Sequence, residues 1–148
     1  PLEFHCTAPV KANRAQEILY GPTLQQYISS EVIGQTLFEK GTKTPMVVLV
    51  DRPSLLGVRE FISAPTALVL RSPRDAKDGA EDDGDSPGAT AGGEFQIGSN
   101  RLRCWSGHLD DQARLTEKLA DLSSFDLAEP FGRIRDAIKE AQQAKAAG

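Results

Sequence analysis

From Arg74 to Gly93 the chain carries no large apolar side chain. It carries Gly79, Gly84, Pro87, Gly88, Gly92 and Gly93 instead, with the acidic run Asp75, Asp78, Glu81, Asp82, Asp83 and Asp85. Such a stretch cannot bury enough surface to offset the entropy of ordering it. Residues 74–93 are therefore expected to be a disordered acidic loop inserted between two strands; the functional alternative is an acidic docking arm for a basic partner. The loop also explains the charge. Residues 73–100 hold two basic and seven acidic groups, residues 1–72 seven and six, and residues 101–148 eight of each. The formal net charge of −4 is thus a property of one segment, and the rest is close to neutral. A broad basic surface for nucleic acid is not expected, which leaves room only for local phosphate contact.

The 148 residues suit a single domain, 1–148, that buries a continuous core. No apolar run approaches the roughly 20 residues that span a bilayer, so no membrane association is expected. No charged segment followed by an apolar stretch opens the sequence. Reduced thiols and an intracellular (cytoplasmic or nuclear) location are the corresponding expectation.

Local patterns divide the chain into three parts. Pro1 to Ala8 alternates, with Leu2, Phe4 and Cys6 on one side, as a half-buried strand does. Asn13 to Phe38 has helical spacing (Ala15, Ile18, Leu19, Leu24, Tyr27, Ile28), interrupted at Gly21-Pro22, which predicts two helical pieces. Pro45 to Val50 is apolar on both faces and reads as a central strand. Leu56 to Ser63 and Thr66 to Ser72 follow as β-rich runs. Glu94 to Gly98 and Arg101 to Ser106 then form a hairpin across Gly98-Ser99-Asn100, with Phe95 and Ile97 facing Leu102 and Cys104. The last third is helical. Asp110 is the expected N-cap of a helix with the stripe Leu115, Leu119 and Leu122. Asp126 to Ala144 has Pro130 in its first turn and Phe131, Ile134, Ile138 and Ala141 as a second stripe. The expected fold class is α+β: an antiparallel meander or barrel-like sheet of about five to six strands, with an N-terminal helix and two C-terminal helices packed on it. In the alternative, Pro53 to Ile62 is a crossover helix rather than a strand, which gives a parallel sheet.

Chemistry-bearing residues are few. His5 and Cys6, with Cys104 and His108, would make a two-thiolate, two-imidazole zinc set if the first strand lay beside the last. Adjacent strand residues point to opposite faces, however, so buried cysteines and surface histidines are the preferred reading, with no metal. No Gly-x-Ser-x-Gly turn, Walker loop or His-Glu-x-x-His motif occurs, and no cofactor is implied.

The chain begins with Pro1, whose secondary amine becomes a general base when its pKa is lowered. The start Pro1-Leu2 on a strand before a helix resembles the amino-terminal-proline tautomerase superfamily. That resemblance implies proton abstraction by Pro1 from a small carboxylated substrate. Only Pro1 carries over; Gly21-Pro22 and the helical end depart from the pattern. The strand order from Thr44 to Ser72 and from Phe95 to Trp105 is similar to small β-barrel subunits that heterodimerise in alternative clamp-loader complexes, which implies a partner chain. The leading expectation is a non-enzymatic protein–protein interaction module or complex subunit, hetero- or homo-oligomeric. It would bind another protein through Phe131, Ile134, Arg135 and Ile138. The alternative is the Pro1-dependent enzyme.

Overall fold

The computed structural model describes residues 2–70 and 91–146. Helix α1 (Arg14–Tyr20) opens with a capping box: Asn13 Oδ1 accepts from Gln16 N at 2.9 Å, and Gln16 Oε1 accepts from Asn13 N at 3.0 Å. A 3₁₀ turn (Gly21–Thr23) follows at the predicted break, then a second helix, α2, built from Leu24–Gln26, a π-wound stretch Tyr27–Gln35, and Thr36–Lys40. The sheet comprises β1 (Val48–Val50), β2 (Thr66–Leu70), β3 (Ala91–Ile97) and β4 (Asn100–Trp105), ordered β1-β2-β4-β3. Helices α3 (Asp111–Lys118) and α4 (Glu129–Ala146) complete it. The fold is α+β with a four-stranded mixed sheet.

Three expectations need correction. The run 56–63 is not a strand: Pro53–Glu60 forms 3₁₀ turns that cross from β1 to β2, which pair in parallel, Val48 opposite Thr66 and Val50 opposite Leu68. Leu56, Gly57, Val58 and Arg59 are all buried in succession, because the turns are wedged between sheet and α2; a strand with one wet face would alternate. The crossover alternative was thus right for the β1–β2 connection, with 3₁₀ in place of α, but the sheet is mixed rather than parallel. It is accordingly neither an antiparallel meander nor a barrel and has four strands among the described residues rather than five to six: β2 pairs antiparallel with β4, β3 lies outside β4, and β1, expected to be central, is the other edge. The strand order that carried the likeness to clamp-loader barrel subunits is therefore not the order found. The N-terminal strand does not form either. Residues 2–12 join no ladder, and Leu2 is 92% exposed, so its alternating side chains have no core to enter. Of the predicted loop 74–93, residues 74–90 lie outside the described residues and 91–93 begin β3.

The two sheet faces are covered differently. Ala67, Val69, Ile97, Leu102 and Cys104 form the main core with Leu115 and Leu119 of α3 and Leu127 beyond it. Val50, Leu68 and Trp105 on the opposite face pack with Leu56 of the crossover. Small residues let α2 close over the crossover. Ser30 Oγ donates to Ser54 O at 2.6 Å, and a Cβ on Gly34 would stand 2.9 Å from Val58 Cγ2. The hairpin forms with Phe95 opposite Leu102, but Ile97 stands opposite Asn100 rather than Cys104, because Asn100 belongs to β4 and the turn is tight at Gly98 (φ +58°). Asn100 anchors that turn to the α3–α4 connection: its Nδ2 donates to Phe125 O at 2.8 Å and its Oδ1 accepts from Leu127 N at 2.9 Å.

Candidate functional site

Helix α4 starts at Glu129, three residues later than the expected Asp126, and has Pro130 in its first turn, where a missing amide costs nothing. Phe131 packs against the main core, so the first turn is docked. Arg135, one turn on, reaches across to the end of β1 and donates from Nη1 to Asp51 Oδ2 at 2.6 Å. Ile134 is 44% exposed, Ile138 is half-buried, and neither belongs to a core cluster. On the outer side Arg133 pairs with Glu129 at 2.9 Å. Of the four predicted binding residues, two are partly engaged with the chain's own body and two present apolar surface.

A second constellation was not anticipated from sequence. Arg59, in the crossover, and Asp111, the first residue of α3, form a buried two-pronged ion pair: Nε to Oδ2 at 2.6 Å and Nη2 to Oδ1 at 3.1 Å. Asp111 Oδ2 also accepts from Thr66 N at 3.2 Å, and Oδ1 lies 3.3 Å from Arg114 Nη1, while Arg59 Nη1 donates to Ile62 O at 2.6 Å. Both carboxylate oxygens are thus saturated, and the pair pins crossover, β2 and α3 together. Asp110 holds the N-cap position of this helix as expected, but its side chain makes no capping bond; its neighbour Asp111 carries the buried contacts. The only sequence hint was an arginine set between Val58 and the apolar Phe61-Ile62.

Above this hub, the turn after β4 brings up Trp105 and His108. Trp105 Nε1 donates to Glu60 Oε1, and His108 Nε2 lies 3.7 Å from the same oxygen. The turn is closed by His108 N donating to Trp105 O at 3.2 Å. A carboxylate, an indole and an imidazole therefore meet at the surface, with one acceptor oxygen shared between two neighbours.

Comparison of the chain with protein-family models, curated proteins and solved structures returns no significant match. Function has to be argued from the residues themselves.

The four metal-capable residues are not gathered into one site. His5 and Cys6 lie on the N-terminal segment, where Cys6 is exposed rather than buried as expected because that segment joins no ladder, whereas Cys104 is buried in the core. Among the described residues no group of three or more His, Cys, Asp and Glu side chains is placed to hold a metal. Burial, helped by the negative charge of Asp111, pushes the Cys104 thiol up to about 12, so it stays protonated and serves as a small apolar group. Among the described residues no helix is long and apolar enough to cross a membrane. Pro1 lies outside the described residues, so the proline-base alternative rests on sequence alone.

Proposed function

We propose that this chain is a non-enzymatic interaction module, or the subunit of a larger complex, that docks on another protein chain through α4. The observation that carries the reading is the way α4 is held. An 18-residue helix is fixed to the body at Phe131 and Arg135, while Ile134 is 44% exposed and Ile138 only half-buried, and neither joins a core cluster. The stretch beyond Arg135, residues 136–146, is short enough to be marginal as an isolated helix in water, and packing of an apolar face supplies most helical stability in proteins. A second chain laid along Ile134, Ile138 and Ala141 would supply that packing, in the manner of a helix received by an apolar groove. Arg135 would sit at the edge of such a contact, held in place by Asp51.

The test is site-specific photo-crosslinking in cells that make the full chain, with the reactive residue at position 134 or, as control, at position 133. A discrete protein adduct from 134 that is absent from 133, and that disappears in Ile138→Asp with helicity retained, is the expected result. Sedimentation velocity of the purified chain then distinguishes a second copy from a different chain. No discrete adduct from 134, or equal adducts from both positions, overturns the proposal.

A further inference from the structure

We infer that the outer edge of β3 pairs antiparallel with the same edge of a second copy of this chain, with Phe95 facing Phe95 across the two-fold axis. β3 is the last strand of the sheet, bonded on one side only, to β4. Its inner register is fixed by the tight turn Gly98-Ser99, which sets Ile97 and Asn100 as a pair that exchanges both backbone hydrogen bonds. Such pairs alternate along an antiparallel ladder. Phe95 is therefore bonded to Leu102, and the N–H and C=O groups of Glu94 and Gln96 point outward. Among the described residues no backbone group meets them, and both residues are exposed. Edges that must stay unpaired are blunted by proline, lysine or a bulge. β3 has neither residue, and its one irregularity, between Ala91 and Glu94, leaves 94–97 regular.

Charge selects the register. Glu94, the only charged residue of β3, is bonded across the sheet face to its own hairpin: Arg101 Nη2 donates to its Oε2 at 2.6 Å, and Arg103 Nη2 to its Oε1. These bonds, led by Arg101, hold the carboxyl below its usual range, so it stays ionised at neutral pH. A two-fold axis at Glu94 would set two carboxylates directly opposite each other, which is destabilising. An axis at Gln96 would carry Glu94 past the partner strand to its turn at Gly98. An axis at Phe95 places Glu94 opposite Gln96 of the second copy, and the reverse. Every outward N–H and C=O of these residues is then bonded, and each carboxylate faces an amide. The half-buried Phe95 rings meet on the side of the main core as a non-hydrogen-bonded pair, with Cβ atoms about 4.5–5.5 Å apart. The contact rests on β3 alone and is independent of α4.

Sedimentation velocity of the full chain from about 10 μM to about 1 mM, the range of a weak contact, tests this together with amide hydrogen exchange. A concentration-dependent dimer is expected, in which the Glu94 and Gln96 amides gain protection as the concentration rises. Gln96→Pro removes an outward N–H and no bond to β4, so the monomer keeps its urea midpoint. Its dimerisation weakens about 30-fold, the loss of two hydrogen bonds at their ordinary net value. Gln96→Glu weakens the dimer and Gln96→Lys strengthens it, and both effects shrink in about 1 M salt. Ile138→Asp, which tests the α4 reading, leaves this dimer unchanged. The inference is overturned by a chain that stays monomeric throughout, or by a dimer that is indifferent to Gln96→Pro or lost in Ile138→Asp. Shifts in the same direction from Gln96→Glu and Gln96→Lys overturn it as well.

Discussion

Replacing Asp111 by alanine removes the acceptor of a guanidinium that stays inside the protein. Arg59 has 8% of its side chain exposed and Asp111 none. Taking away the carboxylate frees three further groups: Thr66 N loses its partner, Arg114 loses a contact, and Arg59 keeps only Ile62 O. Breaking a buried ion pair by removing one partner costs about 3–5 kcal/mol, because an uncompensated charge stays buried. Single domains are stable by about 5–15 kcal/mol in total, so Asp111→Ala is expected to remove a large fraction of the chain's stability. Urea unfolding followed by circular dichroism reads this directly. With an m-value of about 2 kcal/mol/M, the midpoint falls by about 2 M. The double variant Arg59→Met/Asp111→Leu removes both charges and is expected to recover much of the loss, since an apolar pair of similar volume substitutes well for a buried ion pair. A single variant that loses less than about 1 kcal/mol, the scale of an exposed pair, refutes the buried-charge argument. So does a double variant no more stable than Asp111→Ala.

Gly98→Ala is expected to destabilise the hairpin by about 1–3 kcal/mol, because Gly98 has φ +58° and an added Cβ would fall 1.8 Å from Ser123 O; a thermal midpoint within a degree of the parent would contradict this. Labelling with a thiol reagent at pH 8 should modify exposed Cys6 at the rate of a free thiol. Cys104, whose thiol is pushed up to about 12, should react only as the chain unfolds; equal rates in the native state would show that the core is open at β4.

Much of the local structure was legible before any tertiary information. The Gly21-Pro22 break, the Phe95–Leu102 hairpin pairing, and the two C-terminal helices with Leu115, Leu119 and Phe131 on their inner faces all arise from short-range rules. Those rules concern periodicity, proline geometry and turn chemistry, and they act over a few residues. The outer part of the second stripe, Ile134 and Ile138, was also visible, though a stripe alone does not say whether the body or a partner covers it.

The rest was decided by neighbours far apart in sequence. Whether Leu56 to Ile62 is strand or crossover depends on α2 lying over it, through Ser30 and Gly34, and no local pattern encodes that contact. The alternation of Leu2, Phe4 and Cys6 satisfied the strand rule, yet no ladder forms, because a strand needs a partner edge as well as a pattern. The Arg59–Asp111 pair joins residues 52 positions apart, and a charged side chain looks the same in sequence whether it is buried or wet. Composition and periodicity therefore determined which pieces are helix and hairpin. The order of the strands, the burial of the two charges and the part of α4 left uncovered came only from packing, which is set by long-range contacts.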